Sequence, residues 1–402
     1  MATRTIGVVG AGIVGLALAR RLTQTRDDQV IVFDKEPTVA AHQTGHNSGV
    51  VHSGVYYAPG SLKATLCRRG AELLRDYCAE QGLEYRQLGK IIVARDEAEV
   101  SRLRMIEQRA TANGVPGLRW LSAGELTERE PHVVGRAALL SPTAAIVDFP
   151  AIARAMAAEV ERAGGRLLLG QSVTKINFQG DRVAITVGDQ VRVLDELVLC
   201  AGLQSDQLAR AAGNGWSPMI IPFRGEYYEL VGEKRSLVNG LVYPVPDPAY
   251  PFLGVHITPA VDGSVHIGPN AVLALAREGY RRWDLRPADA LRVASWPGSW
   301  RLFRRHWRAG ARELWGSVSK QAYVSEAQRY LPELTRADVV RSGAGVRAQA
   351  LDRSGQLLDD FCIRRRGPII AVRNAPSPAA TSSLAIAEHI ADLLVDSGRR
   401  AG

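Results

Sequence analysis

Cysteine is scarce. The chain has four in 402 residues (Cys67, Cys78, Cys200 and Cys362), scattered without the spacing of a metal site. That usage suits a reducing compartment, with thiols buried as small hydrophobes. No apolar run approaches the roughly 20 residues needed to span a bilayer. Met1–Thr5 leads straight into an apolar strand, which leaves no room for a signal peptide and implies a cytoplasmic location. Internal repeats, low-complexity linkers, metal-binding motifs and recognisable nucleic-acid modules are all missing. What remains is globular in composition, 46% hydrophobic and 23% charged. The length favours two lobes over one simple core. The formal charge of +9 favours anionic partners such as acidic metabolites or anionic lipid, and nucleic acid is not expected without a module to read it.

The first thirty-four residues carry a strong local pattern. Ile6–Gly10 reads as a buried strand, Ile13–Leu22 as a helix and Val30–Phe33 as a second strand, a βαβ unit. Its turn, VVGAGIVGLALARRL, places Gly10, Gly12 and Gly15 in the GxGxxG spacing. Gly10 permits the tight turn, Gly12 the approach of a pyrophosphate to the backbone, and Gly15 the packing of helix on strand. Amides at the helix start, aided by the helix dipole, suit phosphate binding. Asp34 follows Gly15 by nineteen residues, where a carboxylate accepts from a ribose diol and repels a 2′-phosphate. This unit does not separate NAD from FAD.

Further along, Ser61 is placed to cap a helix reaching Gln81, Lys90–Arg95 reads as a strand and Asp96–Asn113 as a charged helix. From Asp148 the α/β pattern returns: a helix over 150–163, a strand over 166–169, two or three strands between Ser172 and Leu194, and a buried strand Glu196–Cys200. Residues 219–275 alternate as a meander of strands, a Trp- and Arg-rich helical region runs to about Arg329, and a strand pair and a helix from about Ser377 close the chain.

LVLCAG (197–202) resembles the strand and Ala-Gly turn that close the nucleotide site of two-domain flavoproteins, and Val173 falls where such proteins touch adenine. The stretch from Thr44 to Tyr57 crowds glycines, donors and acceptors into a dozen positions, too many for a plain connector. With HNSGVVHSGVYYAPGSLKA (46–64), IPFRGEYYEL (221–230), YPVPDPAYPFLGVHIT (243–258), IGPNAVLA (267–274), GVRAQALD (345–352) and NAPSPAATSS (374–383), the chain closely resembles the L-2-hydroxyglutarate oxidase/dehydrogenase family of the D-amino acid oxidase-like flavoprotein superfamily. The resemblance runs nearly end to end. Asp34 departs conservatively from the Glu of many flavoproteins, and the first residues resemble bacterial members without a mitochondrial targeting extension.

The resemblance implies an α/β fold: a Rossmann-like FAD-binding domain (1–80, 146–215 and 341–402) and a second, α+β substrate domain on an antiparallel sheet (81–145 and 216–340). It implies FAD held by Gly10, Gly12, Ile13, Val14, Gly15, Asp34, Lys35, Thr44, His46, Asn47, Ser48, Gly49, Val50, Val173, Ala201, Gly202, Gly345, Arg347, Pro378, Ala379, Ala380 and Thr381. It further implies oxidation of (S)-2-hydroxyglutarate to 2-oxoglutarate, the C2 hydride passing to flavin N5. That chemistry needs cations for two carboxylates and a base for the hydroxyl proton. Arg224 and Arg347 are the candidate carboxylate clamps, each with a salt bridge as the plainer alternative, to Glu226 or Asp352. His52 and His256 both remain open as the base, with a hydrogen-bonded core histidine as the alternative. Tyr56, Tyr57, Tyr228 and Tyr243 are candidate donors, or packing residues. In relatives the last helix aims its N-terminus at the flavin, with Ser377 or Thr381 as cap.

No second dinucleotide fingerprint suggests NAD as acceptor, so a quinone or oxygen is expected to take the electrons. In 296–315, Trp296, Trp300, Phe303 and Trp307 recur at helical spacing among Arg301, Arg304, Arg305, Arg308 and Arg312. Inward packing of the aromatic face is the favoured reading, and peripheral contact with the inner face of an anionic membrane the other. A related flavoenzyme acting on an amino acid or glycerol 3-phosphate, an NAD-dependent dehydrogenase and a non-catalytic FAD protein are the rivals.

Overall fold

The computed structural model describes residues 3–25, 27–248 and 253–398, so four positions of the 243–258 motif, and the chain ends given to the first lobe, lie outside the described residues. Thr5–Val9, Gln29–Phe33 and the helix Ile13–Thr25 between them form the anticipated βαβ unit. They sit in a six-stranded sheet ordered Cys362–Arg366, Ile369–Asn374, Glu196–Leu199, Thr5–Val9, Gln29–Phe33, Arg166–Leu168. Every neighbour is parallel except the hairpin of the first two strands. Both faces are covered, which explains the uninterrupted apolar runs. Ile6, Val8, Val30, Val32 and Val198 pack towards the helices Ile13–Thr25, Phe149–Arg162 and Ser383–Gly398. Val9, Ile31, Phe33, Leu197 and Leu199 pack against a three-stranded meander, Val173–Gln179, Arg182–Val187 and Gln190–Leu194. The alternation is that of strands with two buried faces.

The second sheet has nine strands. It is mixed rather than purely antiparallel, because Leu241–Pro244 runs parallel to Lys90–Ala94 while the other pairings are antiparallel. Its longest pairing joins Met219–Leu230 to Val339–Leu351. Residues 341–351, which the sequence reading gives to the FAD domain, therefore belong by hydrogen bonding to this second sheet. A small third sheet of Val50–Val51, Ala145–Val147 and Tyr85–Gln87 joins the lobes.

Local signals set most helix ends. Ser61 accepts from the Ala64 amide at the start of Leu62–Gln81, and Gly82, at φ 63°, ends that helix. The last helix departs from expectation: it begins at Ser383, and Pro376 and Pro378 lie in a preceding turn closed by Ala379 N–H to the Pro376 carbonyl and Ser382 N–H to that of Pro378. A proline disfavours α geometry in the residue before it, and two of them keep 375 and 377 out of a helix. Thr381 does not cap; its Oγ1 accepts from the His52 amide (3.1 Å), tying this turn to the loop over 44–57.

The Trp- and Arg-rich segment is the helix Pro297–Val318, bent at His306. The favoured inward packing fails in part. Trp296 precedes the helix and is buried with Leu302 and Met219, whereas Trp300 and Trp307 are 66% and 63% exposed. Spacing from Trp296 therefore misreads the buried face, because that residue lies in the turn before the helix. No described helix is long and apolar enough to cross a membrane.

Candidate active site

A cavity of about 950 Å³ takes its lining from both lobes, at the upper end of the range for ligand pockets. At one end are the carboxyl ends of the parallel strands. Gly10 has φ +114°, and a Cβ there would collide with the Cys200 carbonyl; a Cβ on Gly15 would collide with the Gly10 carbonyl. Only glycine permits this turn. The Asp34 carboxylate accepts from Ala11 N–H (2.6 Å) and Glu36 N–H (2.9 Å), which holds it at the cavity wall. Thr44 Oγ1 accepts from Ile13 N–H (3.0 Å), so that amide is taken by the loop rather than left for a phosphate. Asn47 braces the loop, accepting from Gly49 N–H and donating to the Thr44 carbonyl.

At the same end Glu36, His42 and Glu278 bring three metal-type ligand atoms together. Lys35 Nζ already sits among them, 2.9 Å from His42 Nε2 and 3.0 Å from Glu278 Oε2, and supplies the positive charge. The pairs Lys35–Glu278 and His46–Tyr280, the latter stacked at 3.7 Å, fasten the cofactor-side loop to the segment 278–280.

The other end gathers His52, Tyr56, Tyr57, Lys63, Tyr227, Tyr243, His256 and Arg347. His256 Nδ1 lies 3.0 Å from the Gly254 carbonyl, which only accepts, so Nδ1 carries the proton and Nε2 keeps its lone pair. Burial above all, with further depression from Arg347 and Lys90, pulls its pKa down to about 3. The ring stacks on Tyr243 at 4.1 Å. Behind it Lys90 is buried, its Nζ over the Tyr56 and Tyr243 rings, and burial lowers it to about 8. Burial likewise holds His52 well below its ordinary value, helped by the charges of Lys90, His256, Lys63 and Arg347. His52 Nδ1 and the Tyr56 hydroxyl are buried with no hydrogen-bond partner among the described residues, as expected of groups that await a ligand.

Of the residues anticipated from sequence, all but four line this cavity. Gly15 and Gly49 act in the turns behind it. Arg224 is the substantive departure: its guanidinium pairs with Glu226 (2.9 Å) and donates to the Arg281 and Arg282 carbonyls. The reason is strand alternation, since Gly225 and Tyr227 face the cavity and Arg224 and Glu226 therefore face away. Tyr228 likewise packs into the second lobe, 4.7 Å from the Tyr323 ring. Sequence reasoning missed Tyr227, which that alternation would have found, and gave no role to Lys63, Asp359 or Gln349. Those three come from separate segments that only the fold brings together.

The family profile of the FAD dependent oxidoreductases (DAO) matches residues 5–393. L-2-hydroxyglutarate dehydrogenase, mitochondrial, of Bos taurus is 44% identical over 408 residues, covering 96% of this chain and 88% of its own. The chain belongs to the L-2-hydroxyglutarate dehydrogenase family. The Escherichia coli K12 L-2-hydroxyglutarate dehydrogenase is 41% identical over 386 residues, covering 95% and 91% of the two chains. Among solved structures, the FAD-bound L-alpha-glycerophosphate oxidase of Mycoplasma pneumoniae superposes with a TM-score of 0.80 at 22% identity, over 98% of this chain and 95% of its own. Glycine oxidase of Geobacillus kaustophilus reaches 0.74 at 17% identity, over 98% and 95%. The fold is therefore that of the DAO-like superfamily, the cofactor is FAD, and the general reaction is oxidation of a CH–OH or amino-acid donor by hydride transfer to flavin.

Proposed function

We propose that this chain oxidises (S)-2-hydroxyglutarate to 2-oxoglutarate. The observation that carries the reading is the meeting, in one end of the cofactor cavity, of a histidine with a fixed tautomer and the half-buried Arg347. The FAD residues are those lining the cavity from Gly10 and Asp34 to Pro378 and Thr381, and bound FAD supplies the two-electron acceptor. Arg347 binds the C1 carboxylate, which fixes C2 in orientation as well as holding charge. His256 Nε2 takes the hydroxyl proton. This imidazole is a weak base, because burial and nearby cations oppose its protonation. A carboxylate held by Arg347 offsets that cation and raises the proton affinity of His256. His52, whose backbone is fixed by Thr381, lies in the same end and serves the reading as a contact to substrate.

The relatives named L-2-hydroxyglutarate dehydrogenase support a hydroxy diacid over the amino acids and glycerol phosphate of the structural neighbours. Turnover with a dye acceptor, compared across (S)-2-hydroxyglutarate, L-lactate, glycerol 3-phosphate and L-glutamate, tests this. The highest kcat/KM is expected for (S)-2-hydroxyglutarate; an equal or higher value for any of the others overturns the assignment. The electrons are proposed to pass to a quinone at the inner face of a membrane, or to oxygen. Trp283, Leu291, Trp300, Trp307 and Trp315 stand exposed on the segment 283–315 beside Arg301, Arg304, Arg305 and Arg308, a pattern that suits anionic lipid.

A further inference from the structure

Once Arg224 is seen to face away, the cavity lacks the second carboxylate clamp anticipated from sequence. Lys63, from the first turn of the helix Leu62–Gln81, lines the same end as His52 and Arg347 and is 7% exposed. Its Nζ lies 2.7 Å from Asp359 Oδ1 and 5.0 Å from the centre of the Tyr57 ring. The two members of this pair differ sharply: the Lys63 side chain is 9% exposed and that of Asp359 is 86% exposed. Asp360, next in the chain, is anchored through the amides of Leu62 (3.1 Å) and Lys63 (2.7 Å), so the backbone at this point is held while the Asp359 carboxylate reaches in from solvent. An ion pair with one partner in water is replaceable at low cost. A buried ammonium without any partner is not.

We propose that Lys63 is a specificity-determining residue that binds the distal carboxylate of a diacid, and that Asp359 holds its place until substrate arrives. The inference rests on the function proposed above and extends it. Its geometry follows from where the helix carrying Lys63 and the ring of His256 are packed. Cys67, one helical turn after Lys63, donates its Sγ–H to the His52 carbonyl (3.4 Å), so the helix that carries Lys63 packs on the His52 segment, whereas the His256 ring stacks on Tyr243 of the second sheet. Lys63 thus lies on the His52 side and the base on the Tyr243 side of a cavity that Arg347 also lines. A hydroxy acid placed with C1 and C2 at Arg347 and His256 directs its chain towards His52 and Lys63. There an acid end group gains a charge-assisted hydrogen bond, and a methyl end group leaves the ammonium to Asp359.

Equilibrium binding of glutarate and of n-pentanoate to the FAD-loaded protein, read by calorimetry, tests this without turnover. Lys63→Met is expected to lower the preference for glutarate over n-pentanoate by about 10- to 100-fold, Lys63→Arg to restore most of it, and Asp359→Asn to tighten glutarate a few-fold. Retained flavin absorbance and an unchanged unfolding midpoint identify variants that fold. A Lys63→Met protein that folds and keeps the wild-type preference, or one that loses both ligands equally, overturns the proposal. Should Lys63→Met fail to fold, an Asp359→Asn protein that folds and binds glutarate no more tightly than wild type does so. Wild-type protein that binds glutarate selectively through Lys63 but does not oxidise (S)-2-hydroxyglutarate leaves this site standing and removes the proposed reaction instead.

Discussion

His256 and the two arginines show what a single residue type does and does not reveal. Arg224 and Arg347 sit in similar apolar strands, and the sequence offered both as clamps; only the register of paired strands, with Phe223 opposite Arg347, sends one into the cavity and the other behind it. The consequences of removing them differ accordingly. Arg347→Met is expected to raise KM for the diacid about 100-fold with the fold intact, as loss of a bidentate charged contact does. Arg224→Met leaves Glu226 with only Arg282 (3.6 Å) and the Ser317 hydroxyl (2.8 Å) and is expected to cost about 1 to 3 kcal/mol of stability, read as a fall in the denaturation midpoint. The histidine choice was open in sequence because a backbone carbonyl two residues away, that of Gly254, fixes the tautomer, and no side-chain motif encodes it. With a folded value near 3 and an unfolded value near 6.5, His256 leaves the unfolded state holding more protons between those limits. Its contribution is complete above about pH 6.5 and is lost as pH falls towards 3. Denaturant midpoints at pH 7 and pH 4.5 should therefore differ more in wild type than in His256→Asn.

At the scale of elements, the glycine turn was legible because its requirements are local: three glycines and an acid in one βαβ unit. Gly15→Ala would drive a methyl into the Gly10 carbonyl, and the expected outcome is at least a tenfold loss of FAD affinity, measured by flavin release on dilution. The final helix was legible in existence but not in its start, since hydrogen bonds from distant backbone to Thr381 settle that turn. The substrate sheet was harder still. Its parallel pairing of Leu241–Pro244 with Lys90–Ala94 joins segments far apart in sequence, and alternation alone does not report strand direction. The helix Pro297–Val318 shows the same limit: helical spacing finds a face but does not say whether it points to core or solvent.

Across the whole molecule, two lobes enclose one cavity, and the site is completed only where the loop after the first sheet, the long strand pair and the C-terminal turn converge. The exposed tryptophans and arginines lie on one stretch of the second lobe, so the electron exit is proposed there. Binding to vesicles of anionic lipid, weakened by salt and by a Trp300→Ala, Trp307→Ala double substitution, is expected; equal and salt-insensitive indifference to anionic and neutral vesicles contradicts it.

The donor that reduces the flavin decides the proposed reaction. The most direct measurement is absorbance of the purified protein under nitrogen on mixing with (S)-2-hydroxyglutarate or its (R) enantiomer. Rapid bleaching by the (S) form, with one 2-oxoglutarate released per flavin and little response to the (R) form, is the predicted result. A flavin that stays oxidised with the (S) form, or bleaches equally with both enantiomers, contradicts the account.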